Sequence, residues 1–143
     1  MKILIIDGPN LNLLGRREPE IYGSDTTANM LDAVRSAVGN NVTIDYFQSN
    51  HEGDIIDRLH AVGFDSDMAG IILNAGAYTH TSLAIADAIA AITVPVIEVH
   101  ITNVSARAEA IRHSSMIAPV CRGTIAGFGI KSYVLAAIAL RPE

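Results

Sequence analysis

The segment AGIILNAGAYTHTSLAIADAIAAI (69–92) reads as a strand, a loop and a helix in succession. AGIILN (69–74) is a short apolar run stopped by Ala75-Gly76-Ala77, which suits a buried strand. TSLAIADAIAAI (81–92) is apolar nearly all round, interrupted by Asp87, and a helix greasy on more than one face is buried. The same unit recurs outward in both directions. KILIID (2–7) ends in Asp-Gly-Pro, VTIDYF (42–47) in Gln48-Ser49-Asn50, and VPVIEV (94–99) at His100. The fifth run, MIAPVC (116–121), is the weakest, because Pro119 sits inside it and offers no N–H to a ladder. Between the runs, Met30, Leu31, Val34 and Val38 fall on one helical face of 27–38, and Ile55, Ile56, Leu59 and Val62 on one face of 52–62. Residues 105–113 read as a short polar helix and 129–140 as a mostly apolar one.

Five strand–helix alternations predict an α/β fold with right-handed crossovers and helices on both faces of the sheet. The expected architecture is a flavodoxin-like doubly wound five-stranded parallel sheet, order 2-1-3-4-5. At 143 residues the chain is expected to form a single domain spanning 1–143. Half of the residues are apolar and only 17% are charged, which excludes intrinsic disorder. That charged share lies below the usual ~25%, so either the helices are deeply buried or subunits pack together. The net charge of −5, with no Lys/Arg block, argues against a nucleic-acid partner. The lone Cys121 cannot form an intramolecular disulfide and reads as an inert thiol. The apolar run near the N-terminus is too short for a signal peptide or a membrane span, so no membrane association and a cytoplasmic location are expected.

In doubly wound sheets, ligands bind outside the carboxyl ends of the strands. The polar residues gather there: Asp7, Pro9 and Asn10 after strand one, Asn50 and His51 after strand two. Asn74, Gly76, Tyr78 and His80 follow strand three, and Glu98, His100, Thr102 and Asn103 flank the end of strand four. The connection GPNLNLLGRREPEIYGSD (8–25) exceeds the ~12–15 residues at which a loop is usually functional or disordered, and it carries Arg16, Arg17 and Tyr22. It reads as a lid. There is no G-x-G-x-x-G after a strand and no P-loop. The five histidines lack metal-ligand spacing, so no metal site is expected. The two lysines, Lys2 and Lys131, are poorly placed for Schiff-base chemistry. What remains is Tyr, His, Arg, Asn and Glu, a set that suits cofactor-free proton transfer next to a carbonyl.

Read singly, each candidate also has a plainer explanation. His100 and Glu98 are two apart and share a strand face, so the carboxylate either orients the imidazole or is simply solvated. Asn10 and Asn74 also suit turns. Arg112 also suits the end of a short helix. Asp7 reads better as a turn or amide partner than as a catalyst, and His60 and His113 as surface residues. Tyr22 and Arg17 also suit an exposed loop.

Taken together, IDGPNLNLLGRREPEIYG (6–23), QSNHEG (48–53), ILNAGAYTHTS (72–82), EVHITNVSAR (98–107) and GFGIKSYVLA (127–136) resemble type II 3-dehydroquinate dehydratase. The resemblance covers nearly the whole chain. It implies dehydration of 3-dehydroquinate to 3-dehydroshikimate by anti elimination through an enolate, in the shikimate or quinate pathway, with no cofactor. It implies Tyr22 as the base at C2, with Arg17 beside it. Asn10 would hold a water near the enolate oxygen. His100 would be the acid that expels the C1 hydroxyl, oriented by Glu98. Substrate contacts carry over to Asn74, His80 and Arg112 and to the backbone of Ile101 and Thr102, where the carboxylate sits. Asp87 matches a residue that reaches a neighbouring subunit's site in a homo-oligomer, a dodecamer built as a tetramer of trimers. Thr102 stands where the family usually carries serine, which keeps the hydroxyl and adds a methyl.

The chemistry is consistent. A phenol ordinarily ionises near 10, and a nearby guanidinium favours the phenolate. Two other readings stay open on the residues alone: a flavodoxin-like module that binds an anion or nucleotide, and a structural oligomer. The paired base and acid argue against the first, and the polar loops are left unexplained by the second.

Overall fold

The computed structural model describes residues 1–142; Glu143, the last residue of the expected domain, lies outside them. Among these residues, five strands form one all-parallel sheet in the order β2-β1-β3-β4-β5. The strands are β1 (Lys2–Asp7), β2 (Thr43–Gln48), β3 (Met68–Asn74), β4 (Val96–His100) and β5 (Gly123–Ala126). The helices are α1 (Pro19–Tyr22), α2 (Thr27–Val38), α3 (Glu52–Val62), α4 (Leu83–Ala91) and α5 (Lys131–Leu140). The expected fold class and strand order are borne out.

Strand alternation sends side chains to two cores. On one face, Ile3, Ile5, Ile72, Ile97 and Val99 pack against Met30, Val34 and Val38 of α2 and against Tyr133, Ala136, Ala137 and Leu140 of α5. On the other, Leu4, Ile6, Ile71, Leu73 and Val96 meet Ile55 and Leu59 of α3 and Ile85, Ala88 and Ile89 of α4. Both faces of β1 and β3 are therefore buried, which is why these strands are continuous apolar runs rather than alternating ones. Helix α2 starts at a capping box in which the Thr26 hydroxyl accepts from the Asn29 N–H and the Asn29 side chain accepts from the Thr26 N–H.

Two expectations are corrected. The fifth strand is Gly123–Ala126, paired with β4 from Ile97↔Gly123 to His100↔Ala126, and not 116–121. The run MIAPVC instead coils into a 3₁₀ turn at Ala118–Val120 containing Pro119. The Ser115 hydroxyl accepts the N–H groups of Ile117 and Ala118 there, so those donors never reach a sheet. Residues 105–113 likewise form two 3₁₀ turns, Val104–Ala106 and Ala110–His113, rather than a helix. The long connection has structure of its own. Leu11 and Leu14 anchor it in the core, a 3₁₀ turn spans Leu11–Leu13, and α1 places Tyr22 at its end. No helix among the described residues is long and apolar enough to cross a membrane.

Candidate active site

The register puts polar residues side by side at the carboxyl end of the sheet. Asp7 pairs with Gln48 on one side and Asn74 on the other, and Glu98 pairs with Leu73 and Thr124. Gly8 allows the chain to leave β1 close against β3. A Cβ there would lie 2.5 Å from the Ala75 carbonyl oxygen, and no side chain fits that gap. Asn10 then turns with a left-handed backbone, φ 69°, its N–H held by the Asn50 side-chain oxygen at 3.0 Å.

A cleft of about 110 Å³ opens beyond these strand ends. Of the expected residues, Asn10, Arg17, Tyr22, Asn74, His80, His100, Ile101, Thr102 and Arg112 all line it. Glu98 does not. It sits behind His100, almost fully buried, and accepts a hydrogen bond from His100 Nε2 at 2.5 Å. The Ser115 hydroxyl donates to the same carboxylate at 2.9 Å and the Thr124 hydroxyl at 3.1 Å. Burial pushes the Glu98 carboxyl up, but the hydrogen bond and charge of His100, with the two hydroxyls, outweigh it and hold the group below its ordinary value. Because the carboxylate only accepts, Nε2 of His100 carries a proton and Nδ1 is the ring's remaining nitrogen. His80 stacks beside His100 with ring centroids 6.3 Å apart. Its Nδ1 donates to the Ser114 carbonyl at 2.8 Å, so that nitrogen carries a proton.

Tyr22 is flanked by two guanidiniums. The Arg17 guanidinium carbon lies 4.4 Å from the ring centroid and that of Arg107 5.5 Å. Arg107 Nη1 also donates to the phenol oxygen at 3.3 Å. Arg112 lines the cleft from the second 3₁₀ turn and pairs with Glu109 at 3.5 Å. Asp87 is exposed on α4 and does not line the cleft of its own chain.

Sequence reasoning missed several residues. Arg107 stands in the quoted motif EVHITNVSAR, yet nothing in its spacing says that it faces the lid. His113 is exposed as expected, but its Nε2 donates to the Arg107 carbonyl at 2.6 Å. Asp7 is fully buried and accepts from two tyrosine hydroxyls, Tyr46 and Tyr133, each at 2.7 Å, instead of capping a turn. Among the described residues, no group of three His, Cys, Asp or Glu is placed to hold a metal ion.

Chemically, the cleft combines a phenol beside two permanent cations with a carboxylate-held imidazole. It is positive where an anion would enter, although the chain as a whole carries −5.

Comparison with known proteins places the chain's sequence and fold. The family model described as Dehydroquinase class II matches residues 1–141. A 3-dehydroquinate dehydratase from Exiguobacterium sp. is 55% identical over 140 residues, covering 98% of this chain and 94% of the relative. One from Caldicellulosiruptor saccharolyticus is 56% identical over 142 residues, covering 98% and 96%. The crystal structure of type II dehydroquinase from Butyrivibrio crossotus is 45% identical and superposes with a TM-score of 0.93, covering 99% of this chain and 98% of that one. With its fold, its strand order and nearly its whole length matched in this way, the chain belongs to the class II dehydroquinase family.

Proposed function

We propose that this chain, as a single catalytic domain, dehydrates 3-dehydroquinate to 3-dehydroshikimate by anti elimination through an enolate, without a cofactor. The observation that carries the reading is the placement in one cleft of Tyr22, set between Arg17 and Arg107, and of His100, held by Glu98. Tyr22 as phenolate takes the C2 proton, and the electron pair moves onto the carbonyl oxygen to give the enolate. Asn10 holds a water near that oxygen. The enolate then collapses to the enone, the C1–O bond breaks, and protonated His100 gives its proton to the departing hydroxyl, which leaves as water. The two guanidiniums stand beside the phenol and favour its ionised form, the form that can take the proton. Asn74, His80 and Arg112 hold the substrate, with its carboxylate on the backbone of Ile101 and Thr102. The methyl of Thr102 alters the fit slightly and leaves the hydroxyl in place.

The chain acts in the cytoplasm as a homo-oligomer, a dodecamer of four trimers, in which Asp87 completes a neighbour's site. Its exposure on α4, outside its own cleft, supports that role. The experiment is a continuous ultraviolet assay on purified, chelator-treated protein. Appearance of the enone on adding 3-dehydroquinate alone is the expected result. Absence of turnover, or turnover only with added metal or nucleotide, rejects the reading, and a covalent adduct trapped by borohydride points to a lysine mechanism instead. Light scattering at micromolar concentration tests the assembly; a 15 kDa species would refute it.

A further inference from the structure

We propose that Asp7 and Tyr133 are positioning residues, a buried relay that sets the orientation of the Asn74 amide in the cleft. The proposal rests on the reading of Asn74 as a substrate contact.

Asp7 ends β1, in register with Asn74 of β3, and is fully buried. Its Oδ1 accepts from the Tyr133 hydroxyl of α5 at 2.7 Å and its Oδ2 from the Tyr46 hydroxyl of β2 at 2.7 Å. The Tyr133 oxygen in turn accepts from Asn74 Nδ2 at 2.9 Å, and Asn74 Oδ1 accepts from the Gly76 N–H at 3.2 Å. A phenol has one hydrogen to give. While Tyr133 gives it to Asp7, its oxygen faces Asn74 as an acceptor only. One amide orientation then satisfies both ends, nitrogen to Tyr133 and oxygen to Gly76. The flipped amide would set its NH₂ against the Gly76 N–H. The remaining Nδ2 hydrogen is left for the cleft that Asn74 lines.

The relay is sensitive to protonation. Asp7 is faced by the Tyr46 phenol from β2, the Tyr133 phenol from α5 and the Asn74 amide from β3, and no cation among the described residues contributes. Gln48, in register on β2, spends its amide on the Gly8 carbonyl and Asn50. Burial pushes the carboxyl up to about 6, against the pull of the two phenols. A protonated Asp7 must donate to one of those phenol oxygens. When it donates to Tyr133, the phenol hydrogen turns toward Asn74, donor meets donor, and the amide loses its anchor.

The test measures 3-dehydroquinate turnover between pH 5 and 9 for wild type, Asp7→Asn and Tyr133→Phe. Asparagine can accept the Tyr133 hydrogen at Oδ1, so it keeps the polarity of the relay without titrating. The expected KM of Asp7→Asn is within about threefold of wild type at pH 8. Below pH 6.5 it stays flat while the wild-type KM climbs, and the pH dependence of kcat is the same in both. Tyr133→Phe is expected to raise KM roughly 10-fold with a smaller change in kcat, the loss expected for one hydrogen bond to a buried amide. An Asp7→Asn KM profile that overlays wild type overturns the proposal, as does an unchanged KM in folded Tyr133→Phe. If Tyr133→Phe does not fold, the Asp7→Asn profile decides alone. Wild-type protein without turnover rejects the proposed activity and the relay with it, whereas active wild type with overlaid profiles rejects the relay only.

Discussion

Arg107 donates a hydrogen bond from Nη1 to the phenol oxygen of Tyr22, 3.3 Å away and 85 residues earlier in the chain. The contact ties the turn after β4 to the lid after β1 and gives the phenol a second cation besides Arg17. Arg107→Ala should lower kcat about 100-fold and Arg107→Lys about 10-fold, because lysine keeps the charge but loses the planar fork. Both are read from steady-state enone formation, with KM moving less than kcat. Wild-type kcat in folded Arg107→Ala would remove the residue from the mechanism.

Tyr22→Phe removes the proposed base and leaves the ring, so Arg17 can still stack on it. General base catalysis contributes roughly 10²–10⁴-fold, and a loss in that range is expected with an unchanged circular dichroism spectrum. Full activity in this variant would mean that another group takes the C2 proton.

Asp7 gives a stability signature of its own. A carboxyl raised from 3.8 to about 6 binds its proton more tightly in the folded chain than in the unfolded one. Stability attributable to it is therefore full below the unfolded value and is lost as pH rises through about 6. The shift corresponds to about 3 kcal/mol at most. Relative to wild type, the urea midpoint of Asp7→Asn should rise between pH 4 and pH 7. A constant difference across that range would show that the Asp7 carboxyl titrates at its ordinary value.

Glu98 has the opposite sign. Its folded-state value is lowered from 4.5, so its contribution is present above that value and disappears as pH falls through the folded one. The gap in urea midpoint between wild type and Glu98→Gln should be widest above about pH 4.5 and should close on acidification. Glu98→Gln should also lower kcat roughly 10- to 100-fold, since the neutral amide no longer holds a charged imidazole. An equal gap at pH 3 and pH 7 would contradict the pairing.

Cys121 should be chemically quiet. Burial first, and the charge of Glu98 second, push its thiol up to about 12. The thiolate fraction at pH 8 is then about 10⁻⁴, and only the thiolate attacks. Iodoacetamide should label the native chain at pH 8 far more slowly than the chain in urea. Equal rates would place the thiol in a different environment.

How far these features could be read from residues alone follows from the range of the forces involved. The apolar runs 2–7, 42–47 and 69–74 and the intervening helical periods are local patterns, and they sufficed for the fold class and strand order. The fifth strand was misplaced because MIAPVC and GTIA are both short, and hydrophobicity favours the wrong one. Ile117 earns its apolar character by burial in the core beneath a proline-containing turn.

The cleft residues at strand ends were legible for a similar reason. A doubly wound sheet gathers whatever follows its strands, so Asn10, Asn74 and His100 needed only to be counted from the last apolar residue. Contacts that close over long stretches of chain left no such trace. Arg107 on Tyr22, Tyr133 on Asp7 and Thr124 on Glu98 join residues 85, 126 and 26 positions apart. Their partners are set by how α5, β5 and the turn after β4 pack on the sheet. Side-chain chemistry announces itself in a sequence, but hydrogen-bond direction and the ionisation of a buried carboxyl arise only when packing excludes water and brings the partners within hydrogen-bonding distance.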